Sequence, residues 1–250
     1  MELTVLGSGT AALQSDRAPS GYALKVASQL FLLDGGTGSL LNAMRSGLSY
    51  SAVDNLCYTH LHPDHTIDLV PFLFGTKYTP GFTRRKKLGL FGPVGFQQFF
   101  DKVVALYGHN MVQVEYPMEI RELGAERMFL GDLTIETQRM QHSGHAIGYR
   151  FEWGDKKFVY SGDTDACRGI IKLARGADLL LIECSFPDDK KVPGHLTPSE
   201  VGEIATTAGA KRVLLTHIYP PFDADAILHA ASKRFDGEIQ IARDLEKVSI

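Results

Sequence analysis

Four side chains that commonly bind metal ions lie within six consecutive residues of this sequence, His60-Leu61-His62-Pro63-Asp64-His65. The segment directly follows a predicted strand, and on extended backbone side chains two positions apart point the same way, so His60 and His62 can bind one ion. Pro63 suits the first turn of a helix. Asp64 and His65 would then lie at the helix start, where they can bind a second ion. The segment therefore predicts a metal centre and not a polar turn with unrelated histidines.

Three further candidate ligands, His142, Asp163 and His217, each come just after a predicted strand. The three strands are predicted at residues 133–140, 157–160 and 213–216. A histidine at a strand end is, by itself, more often solvated or hydrogen-bonded than bound to a metal. Because these three residues occur together with the six-residue cluster, a role as metal ligands becomes the better interpretation for all three. Seven nitrogen or oxygen ligands without a cysteine are typical of a catalytic site with open coordination positions.

Length and composition indicate a globular protein with a sizeable core. The chain has 250 residues, of which 44% are hydrophobic, and we expect one domain over residues 1–250. The net charge of -3 argues against nucleic-acid binding by bulk charge alone. The three cysteines form no CxxC pair, which favours free thiols in a reducing compartment. The sequence shows neither a signal peptide nor a long apolar run, so we expect a cytoplasmic protein.

Apolar blocks alternate with segments of helical periodicity along the whole chain, which favours two sheets with helices outside them. We predict helices at residues 38–48, 66–76, 97–107, 170–175, 198–208 and 224–233, with Pro71 as a candidate kink in the second. The strands outside the candidate site are predicted at 3–6, 22–26, 30–33, 53–59, 87–91, 147–153, 179–182 and 239–241. Every candidate ligand then lies at the end of a strand or at the start of a helix.

The HxHxDH motif and the later His, Asp and His resemble the metallo-β-lactamase superfamily, in the same order and over nearly the whole length. The resemblance implies an α+β or α/β fold, a four-layer αββα sandwich with the ligands at one edge. It also implies that one ion binds His60, His62 and His142, that a second binds Asp64, His65 and His217, and that Asp163 bridges the two.

Two differences from other members of the superfamily narrow the activity expected for this chain. The redox branch of that superfamily carries Glu where this chain has His62, which favours zinc-dependent hydrolysis. Many β-lactamases carry Cys where this chain has Asp163, which argues against antibiotic hydrolysis. The ribonuclease Z-like branch is the most similar. This chain resembles the landmark segments of that branch at Gly7-Ser8-Gly9-Thr10 with Arg17, Asp34-Gly35-Gly36-Thr37-Gly38, Gly92-Pro93, Gly148-Tyr149-Arg150, Ser161-Gly162-Asp163-Thr164, Glu183 and His195-Leu196-Thr197-Pro198.

The chemistry expected from this resemblance is hydrolysis by two zinc ions, with manganese as the alternative. Two ions about 3.5–4 Å apart lower the pKa of a shared water toward about 7. Asp64 would orient or deprotonate that water, and His195 would donate a proton to the leaving oxygen. The alternative for His195 is a capping or surface histidine. His145 is expected to be a pocket or incidental residue, and His109 and His229 to have no role in the site.

The short stretch between His142 and Asp163 limits which substrates we expect. Transfer-RNA processing members carry an RNA-gripping arm there, whereas this chain has room only for a hairpin. We therefore expect a small phosphodiester, such as a cyclic nucleotide, a cyclic sugar phosphate or a short nucleotide. The alternatives are a ribonuclease Z-type endonuclease acting on transfer RNA, a lactone or thioester hydrolase, and a metal-binding protein without turnover. The basic run at residues 84–87 is interpreted as a solvated turn, and a homodimer is expected by analogy.

Overall fold

The protein is described by a computed structural model that covers residues 1–108 and 116–250. These residues form two seven-stranded mixed sheets, with helices on the outer faces. A cluster of buried side chains joins the sheets, including Leu24 and Phe31 from one and Tyr149 and Phe158 from the other. Phe31 meets Phe151 edge-on across this interface, with ring centroids 5.2 Å apart. The architecture is therefore the αββα sandwich that the resemblance implied.

The first sheet has the order β14-β1-β2-β3-β4-β5-β6. Its strands are β1 (Glu2–Gly7), β2 (Gly21–Val26), β3 (Gln29–Gly35), β4 (Asn55–Cys57), β5 (Leu88–Pro93), β6 (Met118–Leu123) and β14 (Lys247–Ser249). Strands β3 to β6 run parallel, and the carboxyl end of β4 leads directly into the histidine-rich segment.

The second sheet has the order β13-β12-β11-β10-β9-β8-β7. Its strands are β7 (Arg127–Leu130), β8 (Leu133–Arg139), β9 (Ile147–Trp153), β10 (Lys156–Tyr160), β11 (Leu179–Glu183), β12 (Arg212–Thr216) and β13 (Glu238–Ile241). Strands β10 to β13 run parallel, and β9 is antiparallel to both β8 and β10. Because β8, β10, β11 and β12 all run the same way, their carboxyl ends meet at one edge of the sheet.

The helices bury one face each against the outer side of a sheet. The described helices are α1 (Ser39–Arg45), α2 (Pro63–Thr66), α3 (Leu69–Tyr78), α4 (Phe96–Tyr107), α5 (Arg168–Leu173), α6 (Pro198–Ala208) and α7 (Ala224–Ser232). Helices α1, α3 and α4 cover the first sheet, while α5, α6 and α7 cover the second. In the described part of the chain, no helix has the length and apolarity needed to cross a membrane.

The predicted kink at Pro71 is wrong. The helical segment is instead interrupted at residues 67–68, where the N–H of Asp68 donates to the carbonyl of Gly35 at 2.9 Å. Pro71 lies in the first turn of α3, where its missing N–H would have no partner within the helix. His65 of α2 lies beside β3, with its Nδ1 atom 2.8 Å from Oδ2 of Asp34.

Candidate metal centre

The predicted ligands come together at one edge of the sandwich. His60 follows β4 by three residues, and His62, at the N-terminal boundary of α2, is followed by Asp64 and His65 inside that helix. The remaining three, His142, Asp163 and His217, lie just beyond β8, β10 and β12. Strand direction brings His142, Asp163 and His217 to one edge of the second sheet. The segment that follows β4 of the first sheet meets them there, with His62 3.2 Å from His142 and His60 3.8 Å from Asp163.

The first group consists of His60, His62 and His142. The Nδ1 atom of His62 lies 3.1 Å from Nε2 of His60 and 3.2 Å from Nε2 of His142. Zinc–nitrogen bonds of about 2.0–2.1 Å in tetrahedral geometry place ligand atoms about 3.3 Å apart. The three nitrogens therefore have the spacing of three ligands around one ion. His62 is exposed, which leaves this position open to solvent.

The second group consists of Asp64, His65 and His217, with Asp163 between the two groups. Asp64 Oδ2 lies 3.9 Å from His65 Nε2 and 3.6 Å from His217 Nε2. Asp163 Oδ1 is 3.5 Å from His65 Nε2, and its Oδ2 is 3.5 Å from His217 Nε2. The same Oδ2 is 3.8 Å from His60 Nε2, so Asp163 contacts both groups.

Buried polar atoms without hydrogen-bond partners show that this cluster fits a cation. Among the described residues, His65 Nε2, His217 Nε2 and Asp163 Oδ1 are buried with no partner, and all three face the centre of the cluster. A buried polar atom left unpaired is destabilising by about 1–3 kcal/mol. Three such atoms converging on one point are explained by a ligand that accepts their lone pairs. The donor set of imidazole and carboxylate fits a divalent metal.

Hydrogen bonds at Nδ1 set the tautomer of four of the histidines. His60 Nδ1 donates to Thr59 Oγ1 at 3.0 Å, and His65 Nδ1 donates to Asp34 Oδ2 at 2.8 Å. His142 Nδ1 donates to the Gly194 carbonyl at 2.9 Å, and His217 Nδ1 donates to Ser185 Oγ at 3.0 Å. In the neutral form of each ring these bonds place the proton on Nδ1, so that Nε2 can present a lone pair to a cation in the cluster.

The residues that hydrogen-bond to the candidate ligands from outside form an outer layer around the metal centre, and Asp34 is a central acceptor in it. Its Oδ2 accepts hydrogen bonds from His65 Nδ1, Thr59 Oγ1 and Tyr160 OH at 2.7–2.8 Å, and its Oδ1 accepts from Thr59 N at 2.7 Å. The residue is buried and has a positive φ of 54°, a conformation that Asp and Asn adopt more readily than most residues. In the sequence, Asp34 stands out only as a landmark of the ribonuclease Z-like branch. Its place at the end of β3, before two glycines, is the signal that could have revealed this role.

Glu183 connects His195 to the metal centre. Its carboxylate lies 3.2 Å from His195 Nδ1 and accepts a 2.5 Å hydrogen bond from Ser185 Oγ. The Ser185 hydroxyl in turn accepts from His217 Nδ1, so one buried carboxylate orients two histidines. The rings of His195 and His142 are 4.8 Å apart, which places His195 at the rim of the cluster. Ser185 was missed in the sequence because a lone serine after a strand carries no distinctive signal.

Charges in the cluster shift several pKa values. Burial, together with the nearby His65, lowers the pKa of His60 well below its ordinary value. Burial would also lower the pKa of His65, but Asp163 and Asp34 outweigh it and raise that pKa well above the ordinary value. Burial would raise the pKa of Asp163, but His217 and His65 lower it well below the usual range. Asp163 therefore stays ionised and supplies negative charge to balance bound cations.

Among the described residues, His145 and His229 are not members of the histidine and aspartate groups. His145 is exposed and its Nδ1 atom lies 2.8 Å from Nη1 of Arg139, while His229 is exposed on α7. His109 lies outside the described residues. The solvated-turn interpretation is wrong for Arg84, which is buried, stacks over Tyr116 and donates to the carbonyls of residues 86 and 87.

Comparison with known proteins agrees with this geometry. A family model described as Beta-lactamase superfamily domain matches residues 31–218. The uncharacterized protein Rv1339 of Mycobacterium tuberculosis is 30% identical over 96% of this chain and 88% of its own length. A ribonuclease Z of Methanothermobacter thermautotrophicus is 25% identical over 100% of this chain and 97% of its own. The solved metallo-beta-lactamase fold protein YhfI from Bacillus subtilis has a TM-score of 0.85 at 24% identity, covering 99% of this chain and 98% of its own.

Two sheets between helices, with a histidine and aspartate cluster at one edge, define the class of metal-dependent hydrolases with an αββα fold. The family model matches most of the chain, so the chain belongs to the metallo-β-lactamase superfamily, in its ribonuclease Z-like branch. The family and the fold class predicted from the sequence are therefore confirmed.

Proposed function

We propose that the protein is a dinuclear, zinc-dependent phosphodiesterase that acts on a small phosphodiester. The observation that carries the proposal is the convergence of seven nitrogen and oxygen ligands, with Asp163 in contact with both groups of histidines. Imidazole and carboxylate donors spaced for bonds of about 2.0–2.2 Å favour zinc, and manganese is the alternative. Family membership supports the assignment to a hydrolase.

His60, His62 and His142 would hold one ion, Asp64, His65 and His217 the other, and Asp163 would bridge them. When bound, such a pair of cations supplies a nucleophilic hydroxide at neutral pH and neutralises charge on the phosphoryl oxygens.

Asp64 and His195 are the two residues that we assign to proton transfer. Asp64 is partly exposed, with its side chain at 14% accessibility, so its carboxylate can orient the attacking water and accept its proton. Burial would lower the pKa of His195, but its hydrogen bond to Glu183 raises it above the ordinary value. The raised pKa favours the protonated ring, whose Nε2, the nitrogen not bonded to Glu183, can donate to a leaving oxygen.

The small size of the substrate is inferred from the connection between His142 and Asp163. Between these two residues lie only β9 and β10, joined by a turn at Gly154-Asp155. The alignment with the ribonuclease Z extends over 304 positions, more than the 250 residues of this chain, so the relative carries segments absent here. Together with the net charge of -3, this favours a small phosphodiester over transfer RNA.

A substrate panel tests this function. Zinc- or manganese-loaded protein is assayed with bis(p-nitrophenyl) phosphate, a series of lactones and thioesters, and precursor transfer RNA. We expect turnover of the phosphodiester that is lost in His65→Ala and retained in His229→Ala, a matched change of an exposed histidine outside the cluster. Turnover of lactones or thioesters alone, cleavage of precursor transfer RNA alone, or metal binding without any turnover would contradict the proposal.

A further inference from the structure

His195 lies on the loop between β11 and α6, residues 184–197, which we call the His195 loop. Lys191, from the same loop, donates hydrogen bonds from its Nζ atom to three oxygen atoms. These are Oδ1 of Asp165 at 2.7 Å, the backbone carbonyl of His195 at 2.6 Å and Oε2 of Glu200 at 2.5 Å. An ammonium group has three N–H donors, so the protein itself uses every donor of Lys191.

Asp165 fastens the His195 loop to the segment that follows β10. It comes two residues after the candidate ligand Asp163, and its Oδ2 accepts the N–H of Gly194 at 2.9 Å. The carbonyl of Gly194 in turn accepts a hydrogen bond from Nδ1 of His142 at 2.9 Å. One carboxylate, with one oxygen bonded to Lys191 and the other to Gly194, therefore connects the loop to the edge where the candidate ligands meet.

Glu200 connects Lys191 to the start of α6. Its Oε2 accepts the N–H of Thr197, the residue before the helix, at 2.9 Å, as part of a capping box. A capping box satisfies N–H groups that the first turn of a helix leaves without partners. Because the same Oε2 accepts from Lys191, the His195 loop is held at the helix start as well as at Asp165.

Burial separates this lysine from an ordinary surface ion pair. The side chains of Lys191 and Asp165 are 30% and 17% exposed. Lys211 pairs with Asp178 at the same distance of 2.7 Å, but its own side chain is 69% exposed. Lys211 also precedes the amino end of β12, whereas the candidate ligands lie beyond the carboxyl ends of the strands. Exposed pairs contribute little because water and salt screen them, so Lys211 is a matched control for Lys191.

We infer that Lys191 is a positioning residue for His195. It holds the backbone of His195 through the carbonyl, while Glu183 orients the ring through Nδ1. This role depends on the proposed function, in which His195 protonates the leaving oxygen, and it adds the residue that keeps that donor in place. A shift of about 1 Å in the position of a catalytic group can lower the rate about 10²-fold.

Hydrogen exchange measures whether Lys191 holds the His195 loop, and it needs neither metal nor turnover. Peptides from chelator-treated protein are compared by mass spectrometry among the unaltered protein, Lys191→Met, Lys191→Arg and Lys211→Met. In Lys191→Met we expect the loop to exchange about tenfold faster or more, because three bonds that restrain it are lost. Lys191→Arg keeps the charge and should exchange more slowly than Lys191→Met, and Lys211→Met should match the unaltered protein. Unchanged exchange in Lys191→Met would overturn the inference.

Kinetics distinguish positioning of a proton donor from a merely structural role. Ethylene phosphate, a cyclic diester, has an alkoxide leaving group that needs a proton, whereas bis(p-nitrophenyl) phosphate releases p-nitrophenolate, which does not. In zinc-loaded Lys191→Met we expect kcat to fall about 10–100-fold for ethylene phosphate and less than about threefold for bis(p-nitrophenyl) phosphate. Zinc content should be retained, because Asp165 still binds Gly194 behind His142. Lys191→Arg should recover part of the loss, and Lys211→Met should show none.

A double variant decides whether Lys191 acts through His195. If it does, adding Lys191→Met to His195→Gln causes no further loss of kcat for ethylene phosphate, because the proton donor is already absent. A further loss in the double variant, or equal losses for the two substrates in Lys191→Met, would overturn the inference. If the unaltered protein hydrolysed neither phosphodiester, the proposed function would fail instead, and hydrogen exchange would still decide whether Lys191 holds the loop.

Discussion

Asp34→Asn tests whether the outer layer of hydrogen bonds prepares the metal centre. The Oδ2 atom of Asp34 accepts from His65 Nδ1, Thr59 Oγ1 and Tyr160 OH, while Oδ1 accepts from Thr59 N. Asparagine has the same shape and tolerates the positive φ. If its oxygen keeps the three donors, its NH₂ group must face the N–H of Thr59. Two donors then meet in a buried site, and the negative charge that supports His65 is lost.

The magnitudes follow from these contacts. Losing a hydrogen bond to a charged group is destabilising by about 1.5–3 kcal/mol. At about 2–4 °C per kcal/mol for a chain of this size, Tm should fall by about 3–12 °C. Loss of an outer-layer carboxylate behind a ligating histidine typically weakens metal binding about 10–100-fold. Asp34→Asn should therefore lower Tm and raise the zinc Kd together.

Zinc affinity is measured by competition with a chromophoric chelator, and Tm by calorimetry with and without zinc. Asp178→Asn is the control, because Asp178 also accepts a backbone N–H, from Lys157 at 2.8 Å, and pairs with Lys211, but contacts none of the site histidines. It should lower Tm and leave the zinc Kd unchanged. Equal zinc Kd values for Asp34→Asn and the unaltered protein would refute the reasoning.

Three further predictions concern the proton donor, the backbone and the metal. His195→Gln should lower kcat about 10²–10⁴-fold for phosphodiesters with an alkoxide leaving group and much less for p-nitrophenolate, with metal content unchanged; equal losses for both would contradict a donor role. Gly162→Ala should lower both Tm and zinc content, because a Cβ at this residue (φ +59°) would lie 2.6 Å from Thr59 Cβ. The control Gly154→Ala has a similar φ of +61° but no atom within 4 Å of the added Cβ, so it should destabilise the protein by only about 1–2 kcal/mol and keep its zinc. Thermal unfolding and metal analysis measure the two effects. Chelator treatment should abolish phosphodiesterase activity and lower Tm, and zinc should restore both; activity that survives metal removal would contradict the proposed function.

Much of the fold could be predicted because buried strands carry a strong apolar signal. The predicted strand at 147–153 and the helix at 198–208 have the observed bounds. Strands β6, β7 and β14 were missed because they are short or lie at sheet edges, where many side chains are partly exposed and the apolar pattern is weak. The break between α2 and α3 was misplaced because it depends on a backbone hydrogen bond to Gly35, a tertiary contact that local sequence does not encode.

The candidate site was predictable to the extent that its residues have distinctive types. Histidines and aspartates at strand ends can be recognised in the sequence, and the structure brings all seven predicted ligands together with His195 at their rim. The residues that orient them could not be recognised in the same way. Ser185 and the Gly194 carbonyl act through ordinary hydrogen-bonding groups, so only the fold shows that they hold His217 and His142.

The most direct test of the central claim is an anomalous-scattering map, measured at the zinc edge, from crystals grown with zinc. We expect two peaks, one bound by His60, His62 and His142 and the other by Asp64, His65 and His217, with Asp163 contacting both. A single peak, no peak, or an Asp163 carboxylate that contacts neither ion would contradict the proposed two-ion centre.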